Sequence, residues 1–177
     1  MSTTTIETKR TDQEIGQVIT QVVKKIGENP DRAKATFNAK SKLEHSFLTD
    51  VRVRNFNFKS DEPEGLGGTD AGPNPVEYVL GALAACQEIV VKANAIALGI
   101  DVQEVTVDVD GNLDLNGFLN LTDARAGFTD ISYTTKIKTS EKDPEKLEKL
   151  KKLTFTRCPV LDIIENPVPV KGEIQFV

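Results

Sequence analysis

An α+β domain, with antiparallel strand pairs arranged around one long apolar helix, is the fold class this sequence predicts. Three observations carry that expectation. The segment 75–98 is apolar or small nearly all round, as expected of a helix packed on more than one side. Alternating stretches fall in pairs before and after it, as hairpins require. Helix-opening signals recur late in the chain, giving the order α-ββ-α-ββ-α-α-β rather than a regular strand–helix alternation.

Residues 1–10 hold few apolar side chains and read as a disordered N-terminus. A helix extension is expected over 11–30. Thr11 or Asp12 can cap it, Ile15, Val18, Ile19, Val22, Val23 and Ile26 share one face, and Asn29-Pro30 ends it. The main domain is expected over 31–177. It opens with two strand-like stretches, 33–42 and 47–59, joined by a hairpin at Leu43-Glu44-His45. Val51 and Val53 alternate with Arg52 and Arg54, which places both arginines on one sheet face.

Residues 60–74 form a loop rich in glycine and proline. Asn74 then stands as N-cap, Pro75 at N1 and Glu77 at N3, a capping box that starts the long helix, and Gly99 takes the C′ position after it. Strands are expected at 102–115 and 131–138, with an irregular excursion over 116–127. Asp143-Pro144-Glu145 opens a further helix whose outer face is charged and solvated, and Cys158-Pro159 starts a short one over 160–165. Residues 167–177 read as a closing edge strand, because prolines at its beginning keep it from a central position.

Composition excludes several function classes. The 177 residues suffice to bury a continuous core, and 38% apolar with 28% charged residues is globular rather than disordered. A net charge of -5 argues against nucleic acid as a partner. One histidine, His45, and two distant cysteines cannot build the usual zinc sites, so no metal and no cofactor is expected. Gln87, Glu88 and Lys92 interrupt the longest apolar run, and the N-terminus lacks the apolar core of a signal peptide, so neither membrane insertion nor export is expected. A cytoplasmic location follows, where thiols stay reduced and a cysteine pair is more often reactive than structural.

The two cysteines are therefore the leading candidates for chemistry. Cys86 lies within the apolar helix, where burial raises a thiol pKa unless a cation or donor stands beside it. Cys158 lies at a helix start, where free N–H groups and the helix dipole favour the thiolate.

Two blocks then point to a family. Gly67-Gly68-Thr69-Asp70-Ala71-Gly72-Pro73-Asn74-Pro75-Val76-Glu77 with Leu80-Gly81-Ala82-Leu83-Ala84-Ala85-Cys86, and Arg157-Cys158-Pro159-Val160, resemble the signature helix and the second cysteine block of OsmC/Ohr-type proteins. The resemblance covers roughly residues 33–177, leaving the N-terminal helix as a subgroup extension. It implies an intertwined homodimer and a thiol peroxidase that reduces organic hydroperoxides. Cys86 would be peroxidatic and Cys158 resolving, with an external dithiol as reductant.

The supporting arginine and glutamate of that family match less closely. The residue after Asn74-Pro75 is Val76, and Glu77 follows it; nine residues before Cys86, it is about half a turn out of phase and roughly 14 Å away along the helix axis. Glu77 reads either as a cap partner or as a site residue. Arg54 is the candidate cation, with Arg52, Arg157 and His45 as alternatives. Two other functions stay open: a dithiol protein acting on a different electrophile, and a non-catalytic dimer whose apolar pocket holds a small molecule.

Overall fold

The computed structural model describes residues 9–177, so most of the N-terminal stretch expected to be disordered lies outside the described residues. The chain divides into two compact units, Met1–Val79 and Leu80–Val177.

The first unit begins with α1 (Asp12–Glu28), opened by a reciprocal cap. The Glu14 N–H donates to Thr11 Oγ1 at 3.2 Å, and the Thr11 N–H donates to Glu14 Oε2 at 2.7 Å. Asn29 closes the helix, and its side chain caps a single 3-10 turn, Pro30–Ala33. Residues 34–39 are not a strand, contrary to the expectation of one over 33–42.

Strands β1 (Lys40–His45), β2 (Leu48–Val53) and β3 (Phe56–Ser60) form an antiparallel sheet in that order. The first hairpin turns later than the sequence suggests. Leu43 and His45 still pair, with Thr49 and Leu48, and the reversal falls at Ser46-Phe47 with Ser46 at φ 49°. The expected single strand over 47–59 is likewise two strands, reversed at Arg54-Asn55 with Arg54 at φ 54°. Neither turn carries a glycine to announce it; Ser46 and Arg54 themselves adopt the left-handed conformation. Arg54 is thus a turn residue and does not share the sheet face of Arg52.

The loop after β3 is organised around Asp61, whose carboxylate is buried. It accepts the N–H groups of Glu62, Thr69 and Ala71 at 2.9, 2.9 and 3.3 Å, and the Thr69 hydroxyl at 2.6 Å. These bonds hold the carboxyl below the usual carboxylate range, the Thr69 hydroxyl contributing most. Gly68 is required here, since a Cβ on it would lie 1.7 Å from the Glu62 carbonyl oxygen.

Helix α2 (Pro75–Leu98) begins in the first unit and runs through the second. Its end is a Schellman motif: the Ile100 N–H donates to the Ala95 carbonyl at 2.9 Å, the Gly99 N–H donates to Ile96 at 3.2 Å, and Gly99 sits at φ 66°. The 24-residue helix is long and apolar enough to cross a membrane by length and composition alone. In the second unit, however, it is a core helix, burying Leu83, Gln87, Val90, Val91 and Ala95 at helical spacing. Burial follows that one stripe, whereas the sequence suggests cover on several sides; Ile89 remains 68% exposed.

The second unit supplies the opposing layer as a long hairpin, β4 (Val102–Leu113) and β5 (Phe128–Thr139). Alternation sets its faces. Val105, Val109, Ile131, Tyr133 and Ile137 turn inward, while Thr106, Asp108, Thr134 and Lys136 face out. A short helix, α3 (Leu115–Phe118), interrupts the connection. Helices α4 (Pro144–Thr156) and α5 (Pro159–Glu165) complete the unit. Asp143 caps α4 by accepting the Glu145 N–H at 2.9 Å. The interior forms two clusters: Leu83, Val90, Cys158 and Leu161 in one, and Ala95, Ile100, Val102 and Leu150 in the other.

Residues 167–177 form no strand, contrary to the expected closing edge strand. Val170, Ile174 and Phe176 are exposed, Phe176 at 97%. Prolines at 167 and 169 remove two ladder donors, and a strand exists only where a partner edge accepts it.

Candidate functional site: a half-buried dithiol

The structure brings together the two cysteines separated by 72 residues of chain, with Cys158 Sγ–H donating to Cys86 Sγ at 3.1 Å. Both thiols are free. A disulfide bond is about 2.05 Å long, so closing the pair needs an approach of only about 1 Å.

Each thiol is placed by its helix. Cys86 lies one turn after Leu83 on α2, beside that helix's buried stripe, and packs against the Leu83–Leu161 cluster. Cys158 is the N-cap of α5, a role usually filled by Ser, Thr, Asp or Asn. Its sulfur accepts the Leu161 N–H at 3.4 Å, and Pro159 at N1 presets the first turn without needing a donor partner. Cys158 is buried, while Cys86 keeps partial access to solvent.

Burial pushes the Cys86 thiol above its ordinary range. The backbone N–H of Val160, at the start of α5, opposes this by hydrogen bonding to the sulfur, and the neighbouring Cys158 thiol adds to the rise. Cys86 is therefore the member that accepts, from both Val160 and Cys158. The Val160 N–H is the contact that stabilises negative charge on the Cys86 sulfur once the proton has left, whereas the Cys158 thiol opposes it.

The other candidates hold local partners in the first unit. Glu77 completes the cap of α2: the Asn74 N–H donates to its Oε2 at 2.8 Å, and its own N–H donates to Asn74 Oδ1 at 2.9 Å. The Arg54 guanidinium lies 5.1 Å from the centre of the Phe56 ring, a cation–π contact across the turn. Arg52 donates through Nε to the Arg54 carbonyl at 3.3 Å. In the second unit, Arg157 is exposed and closes α4 with its N–H on the Leu153 carbonyl. Among the described residues, no three His, Cys, Asp or Glu side chains gather as a metal site would require.

Two contributors escape a reading by residue type. One is the Val160 N–H, a backbone group. The other is Tyr133, on the inward face of β5, which packs against the thiol cluster. Its hydroxyl pKa is raised, by burial first and then by the charges of Glu165 and Cys158. The alternation of β5 signals that Tyr133 faces inward, although not toward what.

Comparison with known proteins identifies the family and the fold. The profile of the family described as OsmC-like protein matches residues 68–173, more than half of the chain and a span containing both cysteines. The fold is shared with an OsmC-like protein from Mycoplasma pneumoniae (TM-score 0.64, 18% identity, covering 76% of this chain and 90% of that one). It is shared also with an organic hydroperoxide resistance protein OsmC from Legionella pneumophila (TM-score 0.54, 20% identity, 77% and 94% covered). A third is an organic hydroperoxide resistance protein from Elizabethkingia anophelis (TM-score 0.53, 18% identity, 76% and 91% covered). No curated protein matches the sequence. With its signature helix, its second cysteine block and its fold in agreement, the chain belongs to the OsmC-like protein family.

Proposed function

We propose that the chain is a cysteine-based thiol peroxidase that reduces organic hydroperoxides, with Cys86 peroxidatic and Cys158 resolving. The observation that carries this reading is the 3.1 Å separation of the two sulfurs, with Cys86 as the shared acceptor and the more accessible thiol. The names of the Legionella and Elizabethkingia neighbours support a role in peroxide defence.

The chemistry balances as follows. The Cys86 thiolate attacks the terminal oxygen of ROOH; the O–O bond breaks, and the alkoxide takes a proton to leave as ROH. Cys86 becomes a sulfenic acid. The Cys158 sulfur then attacks the Cys86 sulfur, the S–O bond breaks, and water leaves with the Cys158 proton, forming the disulfide. An external dithiol reduces that disulfide by exchange and is itself oxidised. The Val160 N–H steadies the Cys86 thiolate before attack. The working form is proposed to be a homodimer in the cytoplasm.

Turnover of cumene hydroperoxide with excess dithiol, compared with the same dithiol alone, tests the assignment. Catalysis that disappears in Cys86→Ser supports it. A rate no faster than that of the free dithiol rejects peroxide reduction.

A second reading keeps the dithiol and changes the electrophile to a disulfide or persulfide. The 3.1 Å dithiol serves it too, since exchange likewise passes through one attacking and one resolving thiol.

A further inference from the structure

Next to Cys86 in sequence, Gln87 is 0% exposed, and neither its Oε1 nor its Nε2 has a hydrogen-bond partner. Burying an amide with both atoms unpaired is costly, and native interiors rarely do it. Because both atoms are orphaned, the observation does not depend on which way the amide is turned. The buried hydroxyl of Thr135 on β5 is unpartnered as well. Gln87 and Thr135 line the same cavity of about 300 Å³ in the second unit.

The rest of the cavity is mostly apolar. Ile137 and the rings of Tyr133 and Phe155 form its walls, the two rings tilted with centroids 6.3 Å apart. Thr154 also lines it, its hydroxyl already donating to the Leu150 carbonyl at 2.9 Å. Lys151 stands exposed at the rim, 3.8 Å from Glu148 on its own helix. An apolar cleft with a few convergent polar groups is the usual form of a small-molecule site.

We propose that this cavity is a binding site for a planar carboxamide on an aromatic or apolar body. A carboxamide presents a donor and an acceptor side by side, the complement of the Gln87 amide, while Thr135 can serve either remaining position. The body lies between Tyr133, Ile137 and Phe155. Phe155, 52% exposed, is the side chain that turns aside to admit it. Gln87 follows Cys86 by one residue, which on a helix points it about 100° away, so this site stands beside the dithiol rather than over it. The proposal does not rest on peroxide reduction.

The test is a titration of the full-length 15N-labelled protein with benzamide, followed at the Gln87 side-chain amide. Benzoate, acetophenone and toluene are run in parallel. Saturable movement of that resonance is expected, with benzamide at least about tenfold tighter than acetophenone or toluene, the worth of one buried hydrogen bond. Benzoate, which only accepts, should also bind more weakly. Gln87→Met and Thr135→Val should each weaken benzamide about tenfold or more, and Thr135→Val carries the test if Gln87→Met fails to fold. Gln87→Met should also raise the melting temperature if it folds, since it removes the orphaned amide. No saturation, equal binding of toluene, unchanged binding in a folded variant, or long-lived waters at Gln87 that benzamide fails to displace would each overturn the proposal.

Discussion

Cys158 caps a helix with its sulfur and at the same time directs its thiol at Cys86, 3.1 Å away and 72 residues earlier in the chain. One side chain thus fixes the start of α5 and the geometry of the dithiol. The same helix start supplies the Val160 N–H to Cys86, so local folding and the thiol environment share a cause.

Reactivity of Cys86 should climb with pH. Burial holds its pKa above the ordinary value of 9.0, so below that pKa the thiolate fraction rises about tenfold per pH unit. Alkylation by iodoacetamide, located by peptide mass mapping, should keep accelerating past pH 9. In Cys158→Ala the profile should move to lower pH, because the Cys158 thiol is one of the influences raising Cys86. A plateau near neutrality in the parent protein would contradict the assigned environment.

Leu83, on α2, is fully buried in the cluster that contains Cys158 and packs against Cys86. Leu83→Ala should cost about 2–5 kcal/mol of stability, read from urea unfolding, and should loosen the packing that keeps the cysteines together. A loss under 1 kcal/mol would mean that the cluster does not anchor the helix.

Much of the fold is legible in the sequence because helix ends are local events. Thr11 with Glu14, Asn74 with Glu77, and Asp143 before Pro144 each announce a helix within four residues, and each makes the corresponding capping bonds. Strand ends depend on pairing, and there the reading slips. Ser46 and Arg54 take the left-handed turn positions with no glycine to announce them, and 167–177 alternates like a strand yet pairs with no strand among the described residues. The dithiol depends on a contact across most of the second unit, so residue type nominates Cys86 and Cys158, while the family resemblance supplies the pairing. Gln87 reads only as a polar interruption of an apolar run; its isolation becomes visible once its neighbours are in place.

Asp61 should make the protein sensitive to acid. Its folded pKa is depressed, so the stability it contributes is present above the unfolded value near 4 and is lost as pH falls through the folded one. Asp61→Asn should lower the melting temperature at pH 7 and flatten the dependence of stability on pH below 4. Calorimetric melts from pH 7 to pH 2.5 check both. An unchanged melt at pH 7 would show that the loop does not need the charge.

Gly68→Ala should disturb the same loop by another route. The added methyl meets the Glu62 carbonyl at 1.7 Å, and backbone cannot yield cheaply. The expected loss exceeds the typical point-substitution effect of about 1 kcal/mol, measured by urea unfolding. A neutral result would contradict the close approach of these two backbone segments.

The most direct test of the central claim is a thiol count after mixing reduced protein with one equivalent of cumene hydroperoxide, beside Cys158→Ser. Loss of both thiols as one intramolecular disulfide, with a sulfenic acid trapped at Cys86 in the variant, is the predicted result. Two thiols that survive in the parent protein, or a sulfenic acid found at Cys158 instead, would contradict it.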